Sequence, residues 1–133
     1  MIRYLTAYIA AALAFVAMDF CWLTVMTPRL YQPDLGPLML AKPNFPVAVL
    51  FYVLFLAGVV VFAVSPALAK GRWSTAAVLG ALFGFLAYAT YDLTNLATLK
   101  DFTVRLAAAD MAWGAVVSGV AATAGYLAAR RFG

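Results

Sequence analysis

The sequence predicts an all-α integral membrane protein, an up-and-down bundle of four transmembrane helices that forms one domain over residues 1–133. Composition is the first reason, because 67% of the residues are hydrophobic and only 11% are charged, whereas a soluble domain carries about a quarter charged residues. The second reason is that four apolar stretches each reach the roughly 20 residues that a helix needs to cross a bilayer. Turn-forming and charged residues separate these stretches.

We place the four spans at about 4–26, 46–64, 74–96 and 103–129. The first span is expected to end at Thr27-Pro28, because the segment up to Phe45 holds too many prolines and glycines for a continuous helix. A short interfacial helix is expected within that segment, around 35–41. The long apolar run that contains Asp19 reads as an uncleaved first span rather than a signal peptide.

Residues that start and stop helices support the other boundaries. Asn44 precedes a proline in the first turn of the second span, as at many helix starts. Ser65-Pro66 is expected to close that span, and 70–72 makes a short turn before the third. Asp101 or Thr103 is expected to cap the fourth helix.

The basic residues predict the orientation, because loops on the cytoplasmic side carry more Lys and Arg. Five of the nine lie on the side of the two termini and four on the other. We therefore expect cytoplasmic termini. The side of the termini holds Arg3, Lys70, Arg72, Arg130 and Arg131; the other side holds Arg29, Lys42, Lys100 and Arg105.

Composition also limits which side chains could bind a ligand or catalyse a reaction. The basic residues are scattered singly at span ends, which argues against a nucleic-acid partner and for the lipid bilayer. Cys21 is the only cysteine and there is no histidine, so a disulfide and a thiolate metal cluster are excluded. The sequence identifies no cofactor and no metal site. Chemistry must come from carboxylates, Tyr, Asn, Thr, Lys or Arg.

Small residues form a stripe on the third span and another on the fourth. They recur at spacings of three and four residues, which places each set on one helix face and allows close helix packing in lipid. Packing within the bundle is the simplest reading, and homo-oligomerisation through these faces is the alternative. The third-span stripe is Gly80, Gly84, Ala87, Tyr91, Asn95 and Thr98; the fourth-span stripe is Asp110, Gly114, Val117, Ser118, Ala121 and Gly125.

Three aspartates lie inside apolar spans, where each costs about 2.5 to 3.5 kcal/mol at a helix centre. Asp19, Asp92 and Asp110 should lie at one level, because the ends of spans one and three and the start of span four share one side of an up-and-down bundle. A purely structural reading lets each one bond a nearby donor or pair with Arg105 or Arg29. Three carboxylates at one level favour a ligand site.

Aromatic and polar residues accompany this acidic level. A tryptophan follows Asp19 and Asp110 at a spacing of three, hence beside each on the helix surface. Carboxylates beside aromatic faces suit a cation or an amphiphile with a polar head, although Tyr91 and Asn95 could also simply join helices. The predicted ligand-binding residues are Asp19, Trp22, Tyr88, Tyr91, Asp92, Asn95, Asp110 and Trp113.

The run from Tyr88 to Leu99, together with the Asp-Phe-Cys-Trp motif at Asp19 and the Asp-Met-Ala-Trp-Gly motif at Asp110, resembles a family of small bacterial membrane proteins known as domain of unknown function twenty-one seventy-seven. The resemblance covers essentially the whole chain. It implies a four-span protein of the bacterial inner membrane and brings no activity, substrate or cofactor.

Three functions fit these residues. The first is binding or transport of a cation, a proton or a small lipophilic ligand. The second is an intramembrane enzyme that acts on a lipid or isoprenoid, with Asp19, Asp92 and Asp110 as candidate acid and base, or with a divalent metal held by the aspartates and Asn95. The third is a structural or assembly subunit.

Overall fold

The computed structural model describes residues 1–133 and is helical almost throughout. Helix makes up 89% of the chain, there is no strand, and four helices are long and apolar enough to cross a membrane, which confirms the predicted fold class. The elements are α1 (Ile2–Met26), a π turn (Thr27–Tyr31), α2 (Gln32–Leu35), a 3₁₀ turn (Gly36–Leu38), α3 (Phe45–Val59), a π turn (Val60–Val64), α4 (Ser65–Lys70), α5 (Trp73–Thr98) and α6 (Val104–Phe132).

The first helical run does not stop at Thr27-Pro28, so that predicted end is wrong. Helix continues from Ile2 to Leu38 over 37 residues, about 55 Å at 1.5 Å per residue, which exceeds the roughly 30 Å hydrocarbon core. The wider π turn allows this, since Gln32 donates its amide to the Thr27 carbonyl five residues back and Pro28 has no amide to offer. The short helix expected around 35–41 lies earlier, at Gln32–Leu38.

The second crossing also runs through its proline. A π turn at Val60–Val64 precedes Pro66, and helix continues to Lys70, so the predicted end at Ser65-Pro66 is wrong for the same reason. Gly71 ends the helix with a left-handed φ of 68°. The predicted start is confirmed, because the Asn44 side chain accepts the amide of Val47.

The third and fourth crossings are slightly longer than predicted, as α5 and α6 show. Thr103 is confirmed as the cap of α6, since its hydroxyl accepts the Leu106 amide at 3.0 Å. Asp101 lies instead in the turn before it, with a positive φ of 64°.

The helix α6 is the centre of the bundle and packs most extensively against α5 and then α1. Glycines bring the backbones together: a Cβ built on Gly84 would lie 2.2 Å from the Gly114 carbonyl oxygen, and one on Gly125 would lie 2.9 Å from the Ala7 carbonyl oxygen. The glycines of the two predicted small-residue stripes are thus buried inside the chain.

Apolar side chains divide between the core and the surface of the bundle. One core cluster is centred on Phe15, Phe55 and Val117. A smaller cluster around Leu106 lies where residues 27–38, which we call the α1 extension, meet the start of α6. Large apolar side chains also cover the outside. This surface fits a bundle whose solvent is lipid.

Gly84→Ala should destabilise the bundle, because the added methyl group collides with backbone of α6 that cannot rotate away. We expect a loss of about 1–3 kcal/mol, measured as a lower thermal unfolding temperature in detergent. The matched control is Gly58→Ala, where the methyl group meets only the tip of the Phe83 ring. Equal unfolding temperatures for the two variants would contradict the proposed backbone contact.

Candidate acidic site within the bundle

All three intramembrane aspartates turn into the bundle. Asp19 of α1 is 8% exposed, Asp92 of α5 is 0% exposed and Asp110 of α6 is 9% exposed. The helix packing therefore brings acidic residues from distant parts of the chain into the interior, as expected from the sequence. Their hydrogen-bonding environments differ, however, and this difference separates their roles.

Asp19 has a donor for each carboxylate oxygen. The Tyr52 hydroxyl donates to Oδ2 at 2.5 Å, and the Trp113 indole N–H donates to Oδ1 at 3.0 Å. One donor comes from α3 and the other from α6, so this carboxylate joins three helices. Hydrogen bonds to a charged group are strong, and Asp19 is well placed to fix the bundle.

Asp110 has one side-chain donor. The Tyr31 hydroxyl donates to Oδ1 at 2.6 Å and accepts the Trp22 indole N–H at 2.8 Å. The indole rings of Trp22 and Trp113 are stacked, with centroids 4.5 Å apart and planes within 6°. This stack links the hydrogen bonds of Asp110 to those of Asp19. Both tryptophans are half-buried.

Asp92 is the exception, because neither of its carboxylate oxygens has a hydrogen-bond partner although both are fully buried. The carboxyl group of Asp110 interacts with it across the α5–α6 contact. Two carboxyl groups can form a hydrogen bond only if one carries a proton. An unpaired buried polar group costs free energy, so this pair is the least satisfied part of the interior.

No arginine balances the buried carboxylates. Arg105 instead pairs with Asp34 at 2.7 Å, and the Thr103 hydroxyl donates to the same carboxylate at 2.6 Å. Beyond the hydrophobic part of the first span, these contacts hold the pKa of Asp34 below its usual value, with the Arg105 guanidinium as the main cause. The interaction ties the α1 extension to the start of α6.

One cavity of about 220 Å³ reaches the acidic pair. It lies between α3, α5 and α6, and Asp110 is its only charged lining residue. The other lining residues are Phe51, Ala87, Tyr88 and Tyr91. Tyr88 forms the inner wall, because its ring packs where Gly114 leaves room.

The tryptophans line a different space. Trp22 and Trp113 border an open apolar groove of about 560 Å³, together with Met18 and Cys21. The residues of the single pocket predicted from the sequence therefore do not line one space. Asp19 and Asp92 line neither of these two spaces.

The remaining predicted residues divide in the same way. Tyr88 and Tyr91 lie beside Asp110 at the cavity. Asn95 is half-buried one turn farther along α5 and gives no hydrogen bond to the three aspartates. The aspartates do not form a group that could hold a metal ion, so the divalent-metal variant lacks its ligand set.

Sequence reasoning missed two tyrosines that complete the site. Tyr31 lies in the π turn after Pro28, a segment expected to be outside the bundle. Tyr52 lies in the second span, in which the sequence predicted no site residue, and its hydroxyl bonds Asp19. An inward helix face on the second span could have suggested Tyr52, because Tyr52, Phe55, Leu56 and Val59 share the helical spacing.

These helices and their buried polar network define a polytopic helical membrane protein. The family model described as Predicted membrane protein (DUF2177) matches residues 4–127, so the chain belongs to that family and the resemblance noted in the sequence is confirmed. No curated protein and no solved structure matches the chain. The family description states a membrane protein and no activity.

Asp19→Asn should destabilise the protein, because one carboxylate oxygen is replaced by an amide donor that faces the hydroxyl or indole donor already there. We expect a cost of about 1–3 kcal/mol, measured by thermal unfolding in detergent, together with a changed near-ultraviolet circular dichroism of the tryptophan pair. Asp101→Asn, in an exposed turn, is the control. An unchanged unfolding temperature for Asp19→Asn would show that the two hydrogen bonds contribute little.

Proposed function

We propose that this protein binds a proton between Asp92 and Asp110 within the membrane, and exchanges it for a cation that enters through the adjoining cavity. One observation carries the proposal: both oxygens of the fully buried Asp92 carboxyl group lack a donor, and the group faces a second carboxyl. A shared proton supplies the missing hydrogen bond and removes one of two like charges.

Electrostatics supports the proposal. Two adjacent carboxylates repel each other strongly in a medium of low dielectric constant, and the neighbouring arginine is already paired with Asp34. A proton or another cation is the species that relieves this repulsion without rearranging the helices. An intramembrane carboxyl group with no structural partner is typical of ion and proton pathways.

The two carboxyl groups of the pair differ in whether they reach the cavity. Asp110 lines the cavity, whereas Asp92 lies behind it with no exposed surface. Asp110 is therefore the residue through which a proton or cation would enter and leave. Asp92 would share the proton from the inside.

The enzyme hypothesis ranks second. A lipid or isoprenoid substrate would need a proton donor and a proton acceptor that both face the space it occupies. Of the three candidate acids and bases, only Asp110 lines the cavity, while Asp19 is held by two donors. This geometry favours binding and exchange over two-carboxyl catalysis.

We also propose that the chain lies in the bacterial inner membrane with both termini in the cytoplasm. The basic residues near the termini support this orientation, because they share one end of the bundle. A Cβ on Gly133 would contact Arg3, and one on Gly71 would lie 3.5 Å from the Arg130 guanidinium. Such a basic end is typical of the cytoplasmic side.

Infrared spectroscopy tests the proton site. The purified protein should show the carbonyl band of a buried carboxylic acid. Asp92→Asn should abolish the band, because Asp110 keeps the Tyr31 donor and reaches the cavity. Asp110→Asn should shift the frequency of the band, because the buried Asp92 stays neutral but loses the carboxyl group that shares its proton. Asp101→Asn should leave the band unchanged. If the band is unchanged in both site variants while they remain monodisperse and helical, the proposal is wrong.

A further inference from the structure

The cavity beside the proposed proton site has the chemistry of a receptor for an organic cation. We propose that it binds the head of a small lipophilic amine, whose ammonium group contacts Asp110 and whose apolar body lies against the aromatic walls. This inference rests on the proposed function, because it names the cation that exchanges with the shared proton.

The Asp110 carboxyl group at the cavity has no cationic partner and too few hydrogen-bond donors, and an ammonium group would supply both. Oδ1 of Asp110 accepts the Tyr31 hydroxyl, but no hydrogen bond reaches its other oxygen, and Asp92 behind it has no donor at all. An ammonium group carries three donors and a positive charge. It would pair with Asp110 from the cavity side.

The walls favour an organic cation over a bare metal ion. The rings of Phe51, Tyr88 and Tyr91 line the cavity around Asp110, and aromatic faces attract a positive charge that is poorly hydrated. A bare inorganic cation would need several oxygen ligands, which these walls do not offer. A protonated amine needs one carboxylate and an apolar surface.

The size and position of the cavity restrict the ligand further. A volume of about 220 Å³ lies below the roughly 300–1,000 Å³ of drug-sized pockets, so one small ring with a short amine arm is the expected class. Phe51 and Tyr91 are 45% and 54% exposed on the outside of the bundle. The mouth therefore faces lipid, and a lipophilic ligand reaches it from the membrane.

Amine binding should release a proton. In the proposed exchange the positive charge of the ammonium group replaces that of the shared proton, which leaves to the buffer, so the net charge of the site is the same before and after binding. This release distinguishes charge recognition from simple partitioning of the amine into an apolar groove. A neutral molecule of the same shape would release no proton.

Calorimetry with phenethylamine tests the inference, with 2-phenylethanol as the neutral probe of the same shape. Titrations of the purified protein in two buffers of different ionisation enthalpy count the protons released. We expect saturable binding of the amine with proton release, and at least about tenfold weaker binding of the alcohol, since it cannot pair with a carboxylate. Equal affinities for amine and alcohol, or amine binding without proton release, would overturn the inference.

Variants locate the site. Ala87→Phe fills the cavity and should weaken amine binding at least about tenfold. Ala97→Phe, at an exposed position on the same helix, is the matched control and should bind normally. Phe51→Ala removes one aromatic ring from the cavity wall and should weaken amine binding a few-fold. This variant replaces Ala87→Phe in the test if Ala87→Phe does not fold.

The outcomes separate this inference from the proposed function. If the wild-type protein shows the carboxylic acid band but does not bind the amine, the ligand class is wrong and the proton site stands. If the band is absent, the proton site is wrong and this inference falls with it. Normal amine binding by both Ala87→Phe and Phe51→Ala would place the amine elsewhere and overturn the inference.

Discussion

The organisation of this protein depends on one constraint: carboxyl groups buried among apolar helices must find donors or protons within the bundle. The three aspartates meet that constraint to different degrees. Asp19 has two donors, Asp110 has one, and Asp92 has none. The hydrogen bonding of the buried carboxyl groups thus decreases from Asp19, which joins helices, to Asp92, which has no donor.

The environment of Asp92 results from how α5 and α6 pack. Gly84 and Gly114 remove side chains from the contact, so the two backbones approach closely and Tyr88 fits over the second glycine. The same close approach holds Asp92 against Asp110. The environment of the acidic pair therefore depends on the spacing of α5 and α6, because a wider spacing would let other groups or lipid reach the pair.

The sequence was sufficient for the fold and for the inward direction of the acidic residues. Four long apolar stretches define four crossings, and an aspartate within such a stretch has little choice but to face the interior. The partners of the aspartates depend on tertiary structure instead. Tyr52 bonds Asp19 across 33 positions of sequence and Tyr31 bonds Asp110 across 79, and no local pattern encodes such distances.

Prolines account for the other errors. Pro28 and Pro66 are ordinary signs of a helix end, yet each lies at a π turn that lets the helix continue. Single-sequence reasoning has no rule that distinguishes these cases. It therefore placed Tyr31 outside the bundle, and it could not predict that the two indoles stack.

The π turn at Thr27–Tyr31 has a consequence for how the chain tolerates changes in length. A π turn holds one more residue than an α turn, and each residue of an α-helix advances the direction of the side chains by about 100°. Because the turn accommodates that extra residue, losing one residue within it would restore regular helix and leave the segment beyond it in nearly the same direction. Losing one residue from the regular helix before the turn would instead swing that segment around the axis by about 100°, carrying the phenol of Tyr31 away from α6. In α1, therefore, the number of residues rather than their chemical nature sets the azimuth of the segment that carries Tyr31.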